Sequence, residues 1–125
     1  MIGIPGCGKT TYSKINFPNH AYVSLDQIKD REKEYKLIEK YLKNRTSIVI
    51  DDTNLTKKVR KNHFVRFKKY DPKVVGIFFN YPMSKIRIQN SNRFKKVPEK
   101  TIFIMQKQLE IPSEDEGFSK IIEIT

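Results

Sequence analysis

The chain has 125 residues, with 25 lysines and arginines against 14 aspartates and glutamates, for a formal net charge of +11. That length supports one domain (residues 1–125) and one core; there is no run of 18 apolar residues to cross a membrane, and one cysteine, Cys7, excludes an internal disulfide and fits a reducing cytosol or nucleus. The basic excess points to a polyanionic partner such as nucleic acid, although 19 lysines against 6 arginines, with much Ile and Asn, is also what AT-rich coding in a virus or microbe produces.

In chain order, the first residues are Gly-rich and interrupted by Lys9 and Lys14, unlike a secretory signal. Only Met1 and Ile2 precede the stretch Gly3 to Thr10, where about five strand residues are ordinary, so an apolar β-run upstream is expected. Lys9 to about Ile15 reads as helix, broken by Pro18 to His20, and Ala21 to Leu25 as a short strand. From Asp26 to about Lys43, Ile28, Tyr35, Ile38 and Leu42 recur at helical spacing, which predicts one amphipathic helix. Ser47 to Asp51 is an apolar run ending in acid, hence a buried strand. Asn54 or Thr56 can cap a helix to about Lys69, with Val59, His63 or Phe64, Phe67 and Tyr70 on one side. Val74 to Tyr81 is a further buried strand, followed by helices from about Met83 to Asn92 and from Pro98 to about Leu109, and by a last strand over Lys120 to Ile124. Short β-rich runs alternating with amphipathic stretches predict an α/β protein with a mostly parallel sheet.

Gly3 to Thr10 reads G-x-x-x-x-G-K-T. Gly3, Gly6 and Gly8 can take positive φ and expose backbone N–H groups to anionic oxygens, and the next helix points its positive end at the same place. In such a loop Lys9 reaches the β- and γ-phosphates, Thr10 ligates Mg²⁺, and Cys7 and Thr11 lie within or beside the cradle. The pattern therefore predicts a nucleoside triphosphate, ATP, as ligand. Asp51 and Asp52 end a neighbouring strand, where a carboxylate is needed for the Mg²⁺ shell; the spacing alone does not choose between them, or exclude an acidic junction with no metal. Asp26, after the strand Ala21 to Leu25, is either a general base at the sheet's carboxyl end or the cap of the following helix. Arg93, in Gln89 to Lys96, is either a cation for a transferring phosphoryl group or a solvated arginine.

The ordered set GIPGCGKTT, SLDQI, IDDTN, NSNRFKKVPE and IPSEDEGFSKIIEI resembles the kinase module of polynucleotide 5′-hydroxyl kinases, phage and animal alike, over nearly the whole chain. The resemblance implies a P-loop, kinase-like, three-layer α/β/α fold with a C-terminal helical lid, and transfer of the γ-phosphoryl of ATP to the 5′-hydroxyl of DNA or RNA. It implies Lys9 and Thr10 at the nucleotide and Mg²⁺ positions, Asp51 as the Mg²⁺-side acid, Asp26 as general base and Arg93 as the lid arginine. Asp52 and Asn54 match the motif near the acceptor, and Lys57 stands at the start of the helix beyond it.

Three departures accompany the likeness. Lys29 replaces an arginine that grips the acceptor phosphate, giving charge without the bidentate fork. Gln89 stands where a second lid arginine is usual, unless Arg87 substitutes, and no D-x-D-G-T phosphatase motif follows. Lys57, Lys58, Arg60, Lys61, Arg66, Lys68 and Lys69 form a charge run that reads as a solvated face, its first members close enough to Asp52 to meet a polynucleotide backbone. His20 and His63 have no metal or triad spacing and read as structural. The rival readings are a related kinase for an aminoacyl-tRNA or a small metabolite, and a nucleotide-gated nucleic-acid-binding module without catalysis.

Overall fold

Gly8, at φ 91°, turns the chain from the glycine-rich loop into α1 (Lys9–Asn16). The computed structural model describes residues 1–93 and 96–125; Phe94 and Lys95, within the expected lid stretch, lie outside the described residues. After α1 come β1 (Ala21–Val23), α2 (Leu25–Ile28), α3 (Arg31–Lys43), β2 (Ile48–Ile50), α4 (Lys57–Phe67), β3 (Val75–Phe79), α5 (Met83–Ser91), α6 (Glu99–Gln108) and β4 (Lys120–Ile124).

The long helix expected over Asp26 to Lys43 is two helices. Lys29 adopts the left-handed conformation, φ 61°, and ends α2, while Asp30, rather than Asp26, caps α3 by accepting the Lys33 N–H at 3.0 Å. The cap gives α3 its own N-terminus, yet Ile28, Tyr35 and Leu42 still pack against one core with Ile38, so the apolar period runs unbroken across a broken backbone. At α4 the cap is Thr56, which accepts the Val59 N–H at 3.2 Å; Asn54 instead sits at φ 46°.

All strand pairs among the described residues are parallel. β1 pairs with β2 in register Ala21 to Ile48 and Val23 to Ile50, and β3 pairs with β4 from Val75–Lys120 to Phe79–Ile124. Between the pairs lie Met1 to Gly3: the Met1 amino group donates to the Ile50 carbonyl at 2.9 Å, and Ile2 forms a parallel bridge to Phe78. The Ile2 N–H reaches the Ile77 carbonyl at 2.8 Å and its carbonyl accepts the Phe79 N–H at 2.9 Å. The order across the molecule is thus β1, β2, Met1–Gly3, β3, β4, with the phosphate loop leaving the middle.

Three apolar clusters hold the helices to this frame. Val23, Ile38 and Phe67 join β1, α3 and α4; Ile4, Leu55, Ile86 and Ile102 join the loop to α5 and α6; Cys7, Ile77 and Phe79 join the loop to β3. Burying one such isoleucine is worth about 1.5–3 kcal/mol, and Ile4, Ile38, Ile86 and Ile102 are all fully enclosed.

Candidate functional site

Gly6 (φ 86°) and Gly8 supply the left-handed turns of the loop, but Gly3 does not. Gly3 is needed for space instead: a Cβ there would meet Cys7 Sγ at 2.8 Å and Phe79 Cβ at 3.1 Å. A Cβ on Gly6 would press on Asn90 Cβ at 3.3 Å, whereas one on Gly8 meets nothing within 4 Å, so the loop is open on that side. The Cys7 side chain is buried in the core, and burial pushes its thiol pKa up, which disfavours a reactive thiolate. Thr11 is exposed on α1.

Lys9 is buried, its ammonium donating to the carbonyls of Gly3 at 2.9 Å and Ile4 at 3.0 Å. Thr10 Oγ1 donates to Asp51 Oδ2 at 2.7 Å, and the Tyr22 hydroxyl donates to the same oxygen. Burial and the Asp51 carboxylate push the Tyr22 phenol up to about 12. A hydroxyl and a carboxylate beside a loop with left-handed turns at Gly6 and Gly8 is the donor set a hard divalent cation and a polyphosphate require.

Asp52 faces the other way. Its Oδ1 accepts the Leu25 N–H at 2.8 Å, which fastens it to the first residue of α2, the helix that exposes Asp26. Its Oδ2 lies 3.3 Å from Arg31 Nη1, which also donates to Glu34 Oε1 at 2.7 Å and lies 3.5 Å from His63 Nε2. Glu34, at 0% exposure, has its proton affinity raised to about 8 by burial and by Asp52. Burial and Arg31 lower His63 to about 4, so it is neutral, packed edge-on to Tyr35. The ligand atoms of Glu34, Asp52 and His63 lie within 4.8 Å of one another, but the Arg31 guanidinium already supplies the positive charge there.

The remaining expected residues are placed as follows. Lys29 is exposed at the end of α2, and Lys57 is exposed at the start of α4. Asn54 is buried, its amide donating to the Met1 carbonyl at 2.7 Å, so it braces the sheet and not an open acceptor surface. Arg93 follows α5, and its Nη1 is buried with no hydrogen-bond partner among the described residues. Arg87, the suggested substitute for a second lid arginine, is paired with Glu99 at 2.6 Å. Two members of the α4 charge run are engaged within the fold. Arg60 is buried in the fold and Arg66 binds Glu39 and Glu32 at 2.7 and 2.8 Å.

Tyr22, Arg31, Glu34 and Asn90 border the candidate site and were not among the expected residues, while His63, expected to be structural, packs edge-on to Tyr35. Asn90 is buried, donates to the Val97 carbonyl at 2.7 Å and accepts the Val97 N–H at 3.0 Å, closing the segment that contains Arg93. One signal was available: Glu34 stands four residues from Ile38, and Asn90 four from Ile86, so each is a polar residue on an apolar stripe.

Comparison with known proteins bears on the fold and the family. The chain is 26% identical over 132 residues to the L-seryl-tRNA(Sec) kinase of Methanococcus maripaludis, covering 90% of this chain and 52% of that protein. It is 26% identical over 131 residues to the bifunctional polynucleotide phosphatase/kinase of Schizosaccharomyces pombe, covering 99% of this chain and 32% of that one. The chain therefore spans about half or less of the length of the curated relatives it matches. A crystal structure of a gluconokinase from Sinorhizobium meliloti shares the fold at TM-score 0.69 and 14% identity, over 98% of this chain and 78% of that one. The polynucleotide-kinase likeness is thus shared with other P-loop kinases and is not particular to one acceptor. The model of the family described as chromatin associated protein KTI12 matches residues 13–118, and the chain, with its P-loop kinase fold, belongs to that family.

Proposed function

We propose that the protein transfers the γ-phosphoryl group of ATP to a hydroxyl borne by a nucleic acid, the 5′-hydroxyl of DNA or RNA. The observation that carries this reading is the bond from Leu25 N–H to Asp52, which holds the acceptor-side acid and the Asp26 helix together beside the Thr10–Asp51 pair. The two curated relatives named above carry nucleic acid in their names and the family is described as chromatin associated, which supports a nucleic-acid acceptor, while the gluconokinase shares the fold alone.

In this mechanism the loop N–H groups and Lys9 bind the phosphates, Lys9 exchanging the Gly3 and Ile4 carbonyls for phosphate oxygens. Thr10 and Asp51 are the residues that would hold Mg²⁺, which would supply charge neutralisation at the phosphates. Asp26, exposed at the start of α2, takes the proton from the attacking hydroxyl as the oxygen–phosphorus bond forms. Arg93, whose Nη1 has no hydrogen-bond partner among the described residues, donates to the transferring group as the bond to ADP breaks.

A second reading, a seryl-tRNA hydroxyl as acceptor, is favoured by the archaeal relative. One assay separates the two: γ-labelled ATP with a 5′-hydroxyl oligonucleotide and, in parallel, with seryl-tRNA. Label at the 5′ end supports the first reading and label on the seryl group the second. ATP binding without label transfer would leave a non-catalytic, nucleotide-gated module.

A further inference from the structure

On α4, Arg60 is buried and Arg66 is paired, while Lys57, Lys58 and Lys61 stay exposed with no carboxylate partner among the described residues. A second set of unpaired charge lies on α3. Lys33, Lys36, Lys40 and Lys43 recur at three-, four- and three-residue steps, which places them on one helix face, and all four are exposed. None of their ammonium groups pairs with a carboxylate among the described residues, while the acids nearby are all engaged elsewhere. Asp30 caps the helix, Glu32 and Glu39 turn to Arg66, and Glu34 is buried against Arg31. The helix has segregated its charges, acids inward or toward α4, lysines outward.

The row starts at Lys33, in the first turn of the helix whose first residue, Arg31, reaches Asp52 at 3.3 Å from another face. At its far end Lys36, Lys40 and Lys43 rim a recess of about 500 Å³ that also includes Asn44, Arg66 and the engaged Glu39. The row spans ten residues, roughly 15 Å of helix rise, which matches about four nucleotides at about 3.4 Å per nucleotide of one strand. The apolar residues Tyr35, Leu37, Ile38, Tyr41 and Leu42 all pack inward, leaving none on this helix to enter a bilayer.

We propose that the lysine row of α3 is a docking track for the sugar–phosphate backbone of a polynucleotide whose hydroxyl end lies at Asp26 and Asp52. The inference rests on the nucleic-acid acceptor reading and adds to it that the acceptor is a polymer gripped about four phosphates beyond its reactive end.

The test uses the whole chain with Lys33, Lys36, Lys40 and Lys43 changed together to glutamine, and a second variant with all four changed to arginine. Fluorescence anisotropy with a 5′-hydroxyl 20-mer is followed across salt, beside transfer to a 5′-hydroxyl dinucleotide. Four single-strand phosphate contacts contribute a slope of about −3 in log K against log salt. The glutamine variant should lose that slope and bind the 20-mer at least about tenfold more weakly at 0.1 M salt. It should still phosphorylate the dinucleotide, and the arginine variant should bind as wild type. A glutamine variant with the wild-type slope overturns the track, as does equal loss on the dinucleotide, or wild-type binding to phosphatidylserine vesicles as tight as to the 20-mer. Failure of the wild type to transfer to any hydroxyl, with the salt slopes still differing, overturns the kinase reading and leaves the track standing.

Discussion

Arg60→Met should be among the most destabilising single changes outside the phosphate loop. Arg60 is 2% exposed, and its guanidinium donates to both oxygens of Glu116 at 2.8 and 3.3 Å. It also donates to the carbonyls of Asn54 at 2.8 Å, Leu55 at 3.2 Å and Glu110 at 3.0 Å. Methionine fills much of the volume but returns none of these bonds, and it leaves the Glu116 carboxylate enclosed at 10% side-chain exposure. Breaking a buried pair from one side costs about 3–5 kcal/mol, a large part of the roughly 5–15 kcal/mol available to a domain. At about 2.1 cal/mol/K per residue, a domain of this size loses roughly 4 °C of Tm per kcal/mol, so a fall of about 12–20 °C is expected. Urea unfolding with an unchanged m-value is the assay. Adding Glu116→Gln, which keeps an oxygen for the Ser113 N–H now bound at 2.8 Å, should recover about 1–3 kcal/mol. A loss below about 1 kcal/mol, or strict additivity of the two changes, would refute the argument that this pair is buried and mutually dependent.

Asp26→Asn should lower transfer by about 10²–10⁴-fold with ATP affinity unchanged, since a general base acts on the acceptor side; full activity measured by labelled transfer would leave Asp26 with no chemical part. Arg93→Lys should lower kcat more than it raises KM for ATP, because the fork is wanted as charge develops, and a change confined to KM in steady-state kinetics would reassign it to ground-state binding. Glu34, raised from 4.5 to about 8, keeps its proton in the folded chain while the unfolded chain loses it. Its contribution to stability is therefore full below about pH 4.5 and is lost as pH rises toward 8. The stability of wild type relative to Glu34→Gln should fall between those limits in urea titrations, and a flat difference would mean that Glu34 is charged in the fold.

Much of the frame was legible because periodicity and motif agreed. Lys120–Ile124 is the last strand over the expected residues, and Thr10 meets Asp51, one of the two acids between which the spacing did not choose. Three things were hidden. The Lys29–Asp30 break leaves the apolar period intact, so only a backbone angle and a cap reveal it. Arg60 sits in a basic run whose partner, Glu116, is 56 residues away. Asn90 and Val97 meet only after the chain has left one helix and approached another. Long-range polar pairing leaves no local pattern, and that is why the buried arginine read as a solvated one.

The placement of the Lys9 ammonium on the Gly3 and Ile4 carbonyls has a practical corollary for experiment. With no phosphate at hand, that side chain is an internal strut, the cation around which an otherwise repulsive set of carbonyl oxygens closes. Lys9→Ala, the customary inactive control for such a loop, removes the strut along with the phosphate contact. Two buried acceptors are then left without a donor, each at about 1–3 kcal/mol. A Lys9→Ala protein that neither binds nor transfers would conflate a lost ligand contact with a collapsed loop, so the cleaner inactive control in this chain is Asp26→Asn, whose side chain is exposed and whose loss leaves the cradle intact.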